Sequence, residues 1–110
     1  MQYRIVFTAV AREQISEISH YIAYQLYAPD SAERFLSAIE KAAVSLAQLP
    51  HRVPLTTEQP WHDKGIRKLI VKQYFVYFRI VEETSTVQIL AVVYGRRDQK
   101  RFLSELQFDS

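Results

Sequence analysis

Residues 65–98 read "GIRKLIVKQYFVYFRIVEETSTVQILAVVYGRRD". Three apolar runs are separated by short polar breaks. "IRKLIVK" and "YFVYFRIV" are rich in β-branched and aromatic residues, so both predict strands. The break between them, Lys72-Gln73, is short enough for a tight hairpin, although it is not one of the favoured dipeptides. "TVQILAVVY" follows the polar turn "EETS" and is nearly all apolar, which predicts a central strand covered on both faces. Two consecutive hairpins make an antiparallel three-stranded meander.

Upstream, "QYRIVFT" alternates, with Tyr3, Ile5 and Phe7 on one face, and predicts an N-terminal strand. Thr8 is placed to cap a helix. Ala11, Ile15, Ile18, Ile22 and Leu26 then recur at three and four residues, the apolar stripe of an amphipathic helix over 9–27. Pro29 disfavours helical geometry at Ala28. Asp30 with Glu33 has the spacing of a capping box, opening a second helix over 30–49. Its stripe is Ala32, Phe35, Leu36, Ile39, Ala43, Leu46 and Leu49, and Pro50 follows. The two helices form a helical hairpin. Residues 50–65 contain three of the four prolines and predict a structured loop anchored by Leu55 and Trp61. A short C-terminal helix from Asp98 would bury Phe102, Leu103 and Leu106.

The order is β-α-α-β-β-β-α. Helices come as a block, so the class is α+β. At 110 residues the chain makes one domain, 1–110. It has no cysteine, which excludes disulfides and thiolate metal sites and is compatible with a reducing compartment. There is no signal-peptide pattern and no apolar run long enough for a transmembrane helix.

The net charge of +2 conceals an asymmetry. Residues 64–101 hold nine cations and three anions, and the rest holds five cations and nine anions. The basic half predicts a surface for a polyanion or an acidic partner, formed by Arg67, Lys68, Arg79, Arg96 and Arg97. Arginine suits that role because its planar fork binds phosphate or carboxylate at two points. Gly95 would allow a sharp exit from the last strand. The aromatic series Tyr21, Tyr24 and Tyr27 is either core rim or partner surface. His20 belongs to a helix surface. No phosphate-binding glycine loop, nucleophile elbow or zinc spacing is present; the residues call for no metal and no cofactor.

With the strand, the helical hairpin, "GIRKLIVKQYFVYFRIV" and "VQILAVVYGRRD" in place, the whole chain resembles the RelE/ParE superfamily of bacterial type II toxin–antitoxin toxins. The resemblance implies a small cytoplasmic protein that inhibits growth, assembles with a cognate antitoxin and avoids membranes. It leaves two activities open. A ParE-like toxin binds and inhibits DNA gyrase. A RelE-like toxin is a metal-independent endonuclease of mRNA on the ribosome. A degenerate toxin that only binds its antitoxin is a third reading. Such a nuclease needs a base, an acid and cations around the phosphate. The resemblance places an arginine where this chain has Phe75, and a proton-transferring tyrosine or histidine where it has Phe102. The remaining candidates are Arg79, Tyr94, Arg97 and His62, with His51 beside them. The gaps at Phe75 and Phe102 favour the gyrase reading and the degenerate-toxin reading over the nuclease.

Overall fold

The computed structural model describes residues 2–95. The helix foreseen from Asp98, with Phe102, Leu103 and Leu106, and the cations Arg96, Arg97, Lys100 and Arg101 lie outside the described residues. Strand β1 spans Arg4–Phe7, helix α1 Ala9–His20, helix α2 Pro29–Ser45, and strands β2, β3 and β4 Arg67–Val71, Tyr74–Val81 and Thr86–Tyr94. The sheet order is β1-β4-β3-β2. The meander is antiparallel as foreseen, and β4 is central. β1 pairs with β4 in parallel, Arg4 opposite Thr86 and Phe7 opposite Ile89, so the sheet is mixed rather than antiparallel throughout. Parallel neighbours need a long crossover, and everything from α1 to β3 supplies it.

Helix α1 starts where the sequence placed it. Thr8 Oγ1 accepts from the Ala11 amide at 3.1 Å and also donates to the Leu90 carbonyl at 3.3 Å, so the cap fastens the helix to β4. The 9–27 helix is interrupted. Tyr21–Gln25 form a π-helical turn, with the Leu26 amide on the Tyr21 carbonyl. A π turn inserts one residue into the period, so Leu26 rotates off the stripe and is 54% exposed. Tyr27 closes the turn at φ 52°.

Helix α2 corrects the expected cap. Its N-cap is Ala28, with Pro29 in the first turn and no side-chain capping bond, so Asp30 and Glu33 form no capping box. Pro29 fits there because the first turn has no use for its missing N–H, and Asp30 still favours the positive helix end. Ala32, Phe35, Ile39 and Ala43 are buried. Leu36 and Leu49 are exposed: the helix ends at Ser45, and Leu49 adopts left-handed φ before the Pro50–Arg52 turn.

Both faces of the sheet are covered. On one, Ala11, Ile22, Ala32, Phe35 and Ile39 of the helices meet Val76, Phe78, Val87, Ile89 and Val92. On the other, Trp61 and Ile66 from the 50–66 loop meet Tyr77, Leu90, Ala91 and Val93. Trp61 is therefore a loop anchor. A bulge joins the two layers: Tyr77 faces Ala91 and Phe78 faces Ile89, so Leu90 is extra and turns with Ala91 to the loop side. Every residue from Thr86 to Val93 is buried.

Candidate functional site

The side chains proposed as one basic face divide between the two sides of the sheet. Directly paired residues share a face. Arg67 pairs with Phe78, whose ring lies in the helix-side core, whereas Lys68 pairs with Tyr77 on the loop side. Arg79, two residues along β3 from Tyr77, takes the loop side as well. Arg67 serves the loop: Nη1 donates to the Val53 carbonyl at 2.6 Å and to the His51 carbonyl at 3.3 Å. Lys68 Nζ lies 4.6 Å from the Phe75 ring centre and 3.8 Å from Glu58 Oε1. Arg79 Nε donates to Oε1 of buried Gln88 at 2.6 Å. Each of these three cations thus has an internal partner, which spacing along a strand does not reveal.

The nuclease candidates do not converge either. Arg79 stands opposite Gln88, and Tyr94 stands opposite Tyr74 at the other end of the β3–β4 pair. Five strand residues separate the two positions, about 17 Å, and an odd separation places them on opposite faces. Tyr94 packs edge-on against Tyr74, ring centres 5.7 Å apart, and Tyr74 packs on Phe35 at 4.8 Å. Burial, with Tyr94 beside it, raises the Tyr74 hydroxyl above the ordinary tyrosine range. His62 Nδ1 lies 3.0 Å from the Thr56 carbonyl within the loop. Arg97 lies outside the described residues.

Gly95 is needed for a different reason from the one expected. It is absent from the positive-φ positions; instead it sits against Phe75. Its amide donates to the Gln73 carbonyl at 2.8 Å, and a Cβ there would fall 2.9 Å from Phe75 Cζ. The aromatic side chain at 75 and the missing side chain at 95 fit one another.

One polar network had no sequence signal. Tyr3 Oη donates to Glu82 Oε1 at 2.8 Å, and His51 Nε2 lies 2.7 Å from Glu82 Oε2. The Tyr3 and His51 rings meet edge to face at 5.8 Å. The Tyr3 hydroxyl bond, then the His51 bond, hold the Glu82 carboxyl below the usual carboxylate range, with a smaller contribution from Arg67. The bond to Glu82 raises the Tyr3 hydroxyl. Residues 3, 51 and 82 come from three different segments, united by the parallel β1–β4 pairing together with the Gln2–Gln48 bridge and the Tyr3 amide on the Ala47 carbonyl.

Two grooves open on the helix side, sharing Ile22 and Tyr74. The smaller, about 330 Å³, runs between α2 and the β2–β3 turn and has Arg34 and Lys72 at its edge. The larger, about 660 Å³, runs between α1 and β4, walled by Ile18, Tyr21, Leu26 and Tyr94. Tyr21, Tyr24 and Tyr27 are all exposed, Tyr27 by 87%, so the tyrosine series is surface. Strand β2 is a sheet edge. Leu55 bridges to Arg67 at its start, and among the described residues no further strand pairs with Leu69–Val71. Ile70 there is 64% exposed. No helix among the described residues is long and apolar enough to cross a membrane.

A mixed four-stranded sheet with a helical hairpin on one face is the fold of the RelE/ParE toxins. The structure is similar to that of the chromosomal ParDE toxin–antitoxin system from P. aeruginosa, with TM-score 0.67 and 21% identity over 84% of this chain and 96% of that one. It is similar to the toxin–antitoxin complex RelBE2 from Mycobacterium tuberculosis, with TM-score 0.64 and 25% identity over 86% and 99%. It is also similar to a mutant of the E. coli toxin RelE in the free state, with TM-score 0.61 and 16% identity over 96% and 94%. No curated protein matches. The family model described as the ParE toxin of the type II toxin–antitoxin system parDE matches residues 5–99. The chain belongs to that family: it is a type II toxin–antitoxin toxin within the RelE/ParE superfamily.

Proposed function

We propose that the chain inhibits growth by binding DNA gyrase and is neutralised by a cognate antitoxin. The observation that carries the gyrase reading over mRNA cleavage is the scatter of proton-transfer candidates. Phe75 stands where the resemblance to the nucleases implies a cation, and Arg79 and Tyr94 occupy opposite faces and opposite ends of the β3–β4 pair. A binding toxin needs no such set. The target contacts are assigned to Arg96 and Arg97, which follow directly from rigid β4. Arg67, Lys68 and Arg79 are assigned to the same basic half, and their internal partners fix the loop and strand behind it. The RelE-like reading, an endonuclease of mRNA on the ribosome, keeps support from the likeness to RelBE2.

For the antitoxin, support comes from the open β2 edge at Leu69–Val71 and from the adjoining groove with Arg34 and Lys72. An extended segment can add to such an edge, and an acidic one would meet the two cations. The toxin and antitoxin would then form a hetero-oligomer. The test is induction in cells with and without the neighbouring reading frame. Growth arrest with a DNA-damage response, relieved by the neighbour, is the expected result. Rapid mRNA cleavage without DNA damage would overturn the gyrase reading. Toxicity should disappear in Arg96→Ala/Arg97→Ala while the thermal midpoint stays put.

A further inference from the structure

We propose that the smaller groove, between α2 and the β2–β3 turn, binds a nucleoside 5′-monophosphate, a small aromatic molecule carrying one phosphate monoester. Two cations, Arg34 and Lys72, line this groove, and neither an aspartate nor a glutamate does. Among the described residues neither cation has a carboxylate partner. Arg67, Lys68 and Arg79 differ in this respect, since each meets a carbonyl, a carboxylate or an amide oxygen of the chain itself. Arg34 Nη2 donates to Ser31 Oγ at 2.9 Å, so the serine hydroxyl keeps its own proton for an incoming oxygen. Ser31 lines the groove as well. Two like charges on one small groove repel each other, and an anion between them removes that repulsion.

The rest of the groove asks for more than an inorganic anion. Ile22, Phe35 and Ile39 are buried and form an apolar floor. The Phe35 and Tyr74 rings meet at 4.8 Å and make an aromatic wall. Burial raises the Tyr74 hydroxyl, so this ring stays a neutral phenol and brings no negative charge at neutral pH. The volume of about 330 Å³ suits one ring system with its head group. A phosphate monoester carries nearly two negative charges at neutral pH, which the two cations match. The arginine fork can hold two of its oxygens, and the lysine acts as a point charge on the third. A triphosphate would carry more charge than two cations offset. The acidic antitoxin segment proposed above would use the same two cations, so the two occupants exclude one another. The nucleotide site does not rest on that reading, because it is tested on the toxin alone.

The isotope-labelled full chain is titrated with AMP at constant ionic strength and followed by NMR. Adenosine and inorganic phosphate serve as the two halves of the ligand. AMP should shift the amide signals of Ser31, Arg34 and residues 72–74, and it should bind at least about tenfold tighter than either half. Arg34→Ala with Lys72→Ala should weaken AMP by about tenfold or more, through loss of the charge-assisted bonds. Both side chains are exposed, so the thermal midpoint should hold. Arg12→Ala removes an exposed cation of α1 that does not line the groove, and it should leave the affinity unchanged. No shifts at about 1 mM AMP would overturn the site, and so would shifts confined to other surfaces. Phosphate binding as tightly as AMP would reduce it to an adventitious ion only, and full affinity in a folded double variant would remove the two cations from it. The shift pattern of the unsubstituted chain decides the matter even if that variant folds poorly.

Discussion

At the scale of single residues, packing explains more than local conformation does. Gly95 was legible as a glycine that matters, but its reason lies in Phe75, twenty positions earlier and adjacent in space. Gly95→Ala should therefore lower stability by about 1–3 kcal/mol, the usual effect of forcing a methyl into filled space. Chemical denaturation reads it, and Phe75→Leu should restore part of the loss. The Tyr3–Glu82–His51 network makes a pH-dependent contribution. The Glu82 carboxyl titrates lower when folded than when unfolded, so its contribution is complete above the ordinary carboxylate pKa and lost as pH falls through the lowered value. The Tyr3 phenol is shifted upward, so its contribution is complete below the ordinary tyrosine pKa and lost only as strong alkali deprotonates it. Circular dichroism followed from about pH 6 down to about pH 2 should show Tyr3→Phe unfolding at higher pH than the parent chain. An unchanged acid midpoint would mean that water replaces these bonds without loss.

At the scale of elements, periodicity located the strands well and the helix ends poorly. The predicted runs 74–81 and 86–94 coincide with β3 and β4, because strands buried on one or both faces carry their pattern in every residue. The stripe ending at Leu26 failed because a π turn shifts the period without any proline or glycine to announce it. Asp30 failed as a cap because Pro29 opens the helix one residue earlier. Leu49 failed because α2 ends at Ser45, so the helical period no longer holds, and its own backbone is left-handed. Lys72 shows the same kind of tension, holding φ 55° in the β2–β3 turn. Left-handed geometry costs a residue with a Cβ about 1 kcal/mol. Lys72→Gly should recover roughly that amount, less the entropy a glycine loses on folding. The readout is the denaturation midpoint. A destabilised variant would show that the lysine side chain itself holds the turn.

At the scale of the whole molecule, charge asymmetry was visible in the sequence, but its distribution over surfaces was not. A strand sends neighbouring residues to opposite faces, so "RK" at 67–68 contributes one cation to each side. The loop that receives Arg67 is pinned by Trp61 on the far face of the sheet. Trp61→Ala should cost about 3–5 kcal/mol, as for other buried aromatics, and leave β4 half uncovered. Thermal unfolding reads it. The helix side is then left for partners, and the two proposed surfaces can be separated. Ile70 lies on the open β2 edge, two strands across the sheet from the end of β4 that Arg96 and Arg97 follow. A lysine on an exposed edge disfavours the addition of another strand. Ile70 is mostly exposed, so Ile70→Lys should leave folding intact. If the antitoxin adds to β2, this chain should remain toxic when expressed alone, and its growth arrest should persist when the antitoxin is supplied. Its affinity for the antitoxin should fall at least about tenfold, within the 1–2 kcal/mol range of a lost apolar contact and disturbed pairing. Titration calorimetry with purified antitoxin separates the possibilities. Full affinity in the lysine variant would move the antitoxin off the β2 edge and onto the helix-side grooves.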